Sequence, residues 1–150
     1  MHTFIVRCST ALAVVLSTGG TAWAVPNVVI RDDARVLSSS DRQRIIRAAE
    51  PAHVKLTVWT VNGGFAGKRA QFVQASDSLA GGDTVVIAVD LVDRYSHVAA
   101  RQNTGFTANA MVRAKAATTS FFTRRRWADG IISALDTLVP TAARSHGNRS

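Results

Sequence analysis

The run Thr84-Val85-Val86-Ile87-Ala88-Val89 constrains this chain more than any other feature. It is apolar at nearly every position, so as a strand it has no face to offer water and must lie inside a sheet covered on both sides. Upstream, Val54, Leu56, Val58 and Thr60 alternate with Lys55, Thr57, Trp59 and Val61, a β-branched period of two. Between these strands, Asn62-Gly63-Gly64 breaks the chain and Gly67 to Ala80 spaces Ala70, Phe72, Val73, Ser76 and Leu79 as a helix, stopped by Gly81-Gly82. Two strands joined through a helix predict a parallel pair with a right-handed crossover.

The flanks extend the pattern. Val28-Val29-Ile30 reads as a short strand; Ser38 and Asp41 form a capping-box variant ahead of a helix from Ser39 to Glu50, with Ile45, Ile46 and Ala49 inward and Pro51 ending it. After Val89, the connection Asp90-Leu91-Val92-Asp93 leads into a more polar strand from Arg94 to Arg101, a hairpin that supplies an antiparallel edge. Thr107 caps a helix to Phe122, with Ala108, Met111, Ala114 or Lys115 and Thr118 on one side. A last helix runs from Trp127 to Leu138 with Ile131, Ile132, Leu135 and Leu138 as its stripe. The fold class is an α/β (α+β) sandwich, a small mixed sheet with helices packed against it.

At 150 residues there is room for one domain. Arg7, the run Ala11 to Leu16 and the closing Ala22-Trp23-Ala24 have the charged start, short apolar middle and small-residue end of a secretory signal. The expected division is a signal peptide over residues 1–24, a domain over 25–139 and a disordered tail over 140–150. The product is secreted, outside the cytoplasmic membrane; the alternative is a chain anchored by an uncleaved signal. Cleavage removes Cys8, the single cysteine, and leaves a disulfide-free mature form in which no second apolar run is long enough to span a membrane. Thiolate chemistry is thereby excluded.

Gly63-Gly64-Phe65-Ala66-Gly67-Lys68 opens a helix as a phosphate loop does, but Asn62 and Arg69 stand where that motif needs glycine and Ser or Thr. None of His53, His97 and His146 has a second histidine or a carboxylate at metal-ligand spacing on the same element of the sequence. Carboxylates gather at strand ends, where open sheets bind ligands. Asp32, Asp90 and Asp93 are candidate ligands for calcium or magnesium; the competing reading makes them turn caps paired with Arg31, Arg35 and Arg94. Arg124, Arg125 and Arg126, followed by Trp127, are a candidate anion-binding patch, the alternative being a solvated interhelical loop. The net charge of +8 and pI of about 11.2 suit anionic partners, and export favours an envelope protein or an anionic envelope polymer over nucleic acid.

Several of these segments carry a resemblance. Asp32 five residues before Leu37-Ser38, the strand Val54 to Val61, the apolar strand closing at Asp93-Arg94, and Trp127-Ala128-Asp129-Gly130 together resemble the TPM domain family, which includes thylakoid-lumen proteins. The chain has Asn103-Thr104-Gly105-Phe106-Thr107 where that family has Gly-x-Gly-Leu-Glu, and no Asp or Glu lies between Asp93 and Asp129. The resemblance implies an exported α/β sandwich, with metal binding or acid phosphatase activity through an acidic cluster in some members. Two functions are therefore expected as alternatives: an accessory or binding module of the cell envelope, or a metal-assisted phosphomonoester hydrolase with Asp32, Asp93 and Arg94 as catalytic candidates, Arg94 holding phosphoryl oxygens. A polyanion binder using Arg124 to Arg126 is a third.

Overall fold

The structure, a computed structural model, describes residues 22–25, 27–101 and 104–147, with side chains described for 27–101 and 104–139. Five strands form one sheet in the order of the sequence: β1 (Ala22–Val25), β2 (Val28–Asp32), β3 (Lys55–Val61), β4 (Thr84–Asp90) and β5 (Tyr95–Ala100). β2, β3 and β4 are parallel, while β1 and β5 pair antiparallel at the two edges. The fold is the α+β class expected. Residues 1–21 of the expected signal lie outside the described residues, and its cleavage point after Ala24 falls within β1.

Register assigns the faces. Val28, Leu56 and Val85 are aligned across the sheet, as are Ile30, Val58, Ile87 and Val98, and all seven belong to the larger core. Helices α1 (Ser39–Ala49), α3 (Ala108–Phe122) and α4 (Trp127–Gly147) cover this face through Ile45, Ala114, Phe122, Ile131 and Leu138. The opposite face carries Trp59, Val61, Val86, Ala88 and Ala99 under helix α2 (Arg69–Leu79), whose Phe72 stacks on Trp59 at 5.9 Å between ring centroids. β4 is buried on both faces from Val85 to Asp90, as its composition requires.

α1 joins β2 to β3 on one face, and α2 joins β3 to β4 on the other. Both crossovers step the same way across the sheet, so they have opposite hands. One of the two departs from the right-handed rule.

Local signals set the helix starts. The Ser38 hydroxyl accepts from the Asp41 amide at 3.0 Å and Asp41 Oδ2 accepts from the Ser38 amide at 3.1 Å; Thr107 Oγ1 accepts from the Ala110 amide at 3.1 Å. Two expectations shift. α3 buries Ala110, Ala114, Thr118 and Phe122, a stripe of period four, and leaves Ala108 exposed. The chain past Pro140, expected to be a disordered tail, continues as helix to Gly147, consistent with the helix preference of Ala142 and Ala143. Among the described residues no helix is long and apolar enough to cross a membrane.

Candidate functional site

The parallel strands deliver their carboxyl ends to one end of the molecule, where the loops after β2, β3 and β4 meet the turn between α3 and α4. Asp32, the last residue of β2, is 1% exposed. Its Oδ1 accepts from the Thr60 hydroxyl at 2.6 Å and the Val36 amide at 3.1 Å, and its Oδ2 accepts from the Leu37 amide at 3.0 Å and Arg42 Nη2 at 2.9 Å. The five-residue spacing from Asp32 to Leu37 is thus the span of a loop folded over its own carboxylate. Burial by itself raises the pKa of this group; the Thr60 hydroxyl, the Leu37 and Val36 amides and the Arg42 guanidinium outweigh it and hold the carboxyl below the ordinary aspartate value.

Asp90 ends β4 and is also 1% exposed. Its Oδ1 accepts from the Val92 and Asp93 amides at 3.0 and 3.3 Å, a turn cap, while Oδ2 has no hydrogen-bond partner among the described residues. Asp93 is exposed in the hairpin turn and accepts from the Gly67 amide at 3.3 Å.

These three aspartates do not converge. Asp32 aligns with Thr60 on the face of α1, α3 and α4, whereas Asp90 aligns with Val61 on the face of α2. Among the described residues no three His, Cys, Asp or Glu side chains gather where one metal ion would reach them. The expected calcium or magnesium ligand set of Asp32, Asp90 and Asp93 therefore has no common centre, and Asp32, with four donors on its two oxygens, is already saturated. The turn-cap reading describes Asp32 and Asp90 better.

What the loops do enclose is a cleft of about 400 Å³ lined by Val36, Asn62, Leu91, Val92, Arg94, Arg125 and Trp127. Arg94 comes from the β4–β5 turn and Arg125 from the α3–α4 turn, both at positive φ, 48° and 57°. That conformation disfavours residues with a Cβ and is held where the surrounding structure requires it. Both arginines are exposed, and neither has an ion-pair partner among the described residues. A smaller recess of about 130 Å³ beside it shares Val36, Arg125 and Trp127 and adds Asp41, Arg126 and Asp129.

The Arg124 to Arg126 patch divides into separate roles. Arg126 donates to Asp129 Oδ2 at 2.8 Å and lies over the Phe121 ring at 5.3 Å. Asp129 also accepts from Arg44 Nη2 at 2.6 Å, which ties α1 to α4. Hydrogen bonds from Arg44 and Arg126 hold the Asp129 carboxyl below its ordinary pKa. Arg125 faces the cleft, and Arg124 is exposed without lining it. The pairing of Arg94 with Arg125 was invisible in sequence, because 31 positions and two secondary elements separate them; the pairing of Trp127 with the arginine run was legible.

No protein-family model and no curated protein matches the chain. Solved structures do. The N-terminal domain of the cg2496 protein from Corynebacterium glutamicum, a solution NMR structure, is similar over 99% of this chain and 93% of its own, with a TM-score of 0.64 at 18% identity. The BA42 protein from the psychrophilic bacterium Bizionia argentinensis, also an NMR structure, is similar over 72% of this chain and 82% of its own, with a TM-score of 0.55 at 14% identity. At these identities the likeness shows a shared fold.

Proposed function

We propose that this chain is an exported, TPM-like binding module of the cell envelope that holds an oxyanion in the cleft between Arg94 and Arg125. The observation that carries the proposal is the convergence of two arginines from separate loops, neither neutralised by a carboxylate, on one cleft at the carboxyl end of the parallel strands. Guanidinium groups present paired N–H donors that match phosphate and carboxylate oxygens, and Asn62 adds an amide from a third loop. Partial desolvation in a concave site strengthens such contacts over those of a flat arginine patch. A phosphate group of an envelope polymer and free inorganic phosphate share the required chemistry.

The hydrolytic alternative finds less support. Among the described residues, those lining this cleft include no carboxylate, hydroxyl or imidazole to serve as nucleophile or general base, and Arg94 is better used as a binding residue than as a partner of Asp32 and Asp93.

Trp127 makes the site measurable, since it lines the cleft. Titration with inorganic phosphate at constant ionic strength is expected to change tryptophan fluorescence and to shift the amides of Asn62, Val92, Arg94 and Arg125. The Arg94→Ala/Arg125→Ala pair should abolish both changes and leave the rest of the amide spectrum in place. A titration unaltered by that pair would remove the proposal. Export is tested separately by the mass of the native protein: a retained Met1 would replace secretion with an anchored or unprocessed form.

A further inference from the structure

β5 is an edge strand, and its outer side is open along a groove between α2 and α3. The groove has a volume of about 400 Å³ and is lined by Asp77 and Ala80 from the α2 side, Met111 from α3, His97 to Ala100 of the strand itself, and Arg101 just beyond its end. In an antiparallel pair, alternate residues of the outer strand turn their N–H and C=O groups away from the partner. On β5 these groups face the groove, a template for one more strand.

The charges around the groove are mostly positive. At one end Tyr95 is held between two cations: the Arg69 guanidinium from α2 lies 4.3 Å from the ring centroid, and Lys115 from α3 lies 4.2 Å from it and donates to the Tyr95 hydroxyl at 2.8 Å. α2 and α3 flank opposite faces of the sheet, so Lys115 reaches across its free edge. Arg101 stands at the other end, with Nε donating to the Ala80 carbonyl at 2.7 Å. The one acid in the groove, Asp77, is taken by His97 at 2.7 Å. Arg69, Lys115 and Arg101 have no ion-pair partner among the described residues.

We propose that the outer edge of β5 is a docking site for an extended acidic peptide segment, which adds to the sheet as a sixth strand. Main-chain hydrogen bonds to β5 supply the affinity, and Lys115 with Arg69 at one end and Arg101 at the other select carboxylates. A second copy of this chain is the wrong partner: edge-to-edge pairing of two β5 strands sets these three cations against their own images in a molecule already carrying +8. Charge at an open sheet edge is a recognised guard against such pairing, and here Lys115 supplies it from α3. The guard that repels a copy attracts an acidic strand. This surface is distinct from the Arg94–Arg125 cleft, and the two proposals stand or fall separately.

The test uses the full chain, isotope-labelled, and a capped nine-residue peptide alternating glutamate with threonine or valine. Binding is expected to shift the amides from Tyr95 to Arg101 and to slow their hydrogen exchange, as a new ladder requires. Replacing every glutamate by lysine should weaken binding by roughly ten-fold or more, and N-methylating alternate backbone amides of the acidic peptide should remove it. That comparison needs no protein variant; Lys115→Glu and Arg101→Glu, both near the surface, should each weaken binding and restore affinity for the lysine peptide. The proposal is overturned by shifts centred on Asn62, Arg94 and Trp127 instead, by binding indifferent to N-methylation, by a dimer pairing through β5, or by no shift at about 1 mM peptide.

Discussion

Four donors converge on Asp32, and one of them, Arg42, is itself nearly buried, with 12% of its side chain exposed. Removing the carboxylate leaves that cation, the Thr60 hydroxyl and two amides without their acceptor, so Asp32→Ala is expected to cost about 3 kcal/mol in urea unfolding. The pH dependence follows from the lowered folded pKa. In acid the unfolded chain takes up the proton before the folded one does, so the stabilisation is whole above about pH 4, the ordinary value, and fades as pH falls through the lower folded value. Asp32→Asn should therefore flatten the acid limb of the stability profile; an unchanged limb would contradict the hydrogen-bond account. Asp90 predicts the opposite outcome for a similar residue. Its Oδ2 is buried without a donor among the described residues, whereas its Oδ1 carries the turn, and asparagine keeps an oxygen for that turn while removing the charge. Asp90→Asn is expected to be neutral or to stabilise by about 1 kcal/mol, and a loss of that size would show that the charge is needed.

At the scale of elements, α3 and α4 depend on one small residue. A Cβ at Gly130 would sit inside the contact distance of the Phe122 ring, and Phe122 also packs on Trp127 at 5.3 Å between centroids. Gly130→Ala should thus destabilise by about 2 kcal/mol, although alanine favours the helix intrinsically; thermal unfolding that moves upward would refute the close approach. Ser38→Ala removes a cap at α1 and should cost about 1 kcal/mol. These two positions show which parts of the elements were legible. Ser38 with Asp41, and Thr107, act on amides three residues away, so their roles lie within a short window of sequence. Gly130 acts on a ring eight residues back around a turn; the sequence marks it as the glycine closing Trp127-Ala128-Asp129-Gly130 but contains nothing that shows which ring it meets. On α3 the spacing places Ala114 and Thr118 on the buried stripe as expected but selects Ala108, which is exposed, and misses Ala110, a small residue whose burial depends on the approach of other elements rather than on its own hydrophobicity.

At the scale of the molecule, the candidate site was decided by a one-residue offset. Asp32 aligns with Thr60 and Asp90 with Val61, and since side chains alternate along a strand, that single step sends the two aspartates to opposite faces. The sequence placed both at strand ends, correctly, but contains nothing that sets the offset between strands. Opposite crossover hands were hidden in the same way, because the handedness rule predicts one face for both helices. What the offset dissolves as a cation site the loops rebuild as a cationic cleft, and this has a consequence for the stability of the whole protein. A chain of net +8 gains from any salt that screens its self-repulsion, so chloride and phosphate should both raise the melting temperature. If phosphate also occupies the Arg94–Arg125 cleft of the folded state alone, it adds RT ln(1 + [L]/Kd), about 2.7 kcal/mol at a hundred-fold excess over Kd, and each kcal/mol is worth about 2–4 °C in a chain near this size. At matched ionic strength the phosphate curve should then lie several degrees above the chloride curve for the parent, and the two should differ much less for the Arg94→Ala/Arg125→Ala pair, where only screening and general salt effects remain. A phosphate advantage of the same size in both proteins would assign it to bulk solvent effects and remove the cleft as its cause.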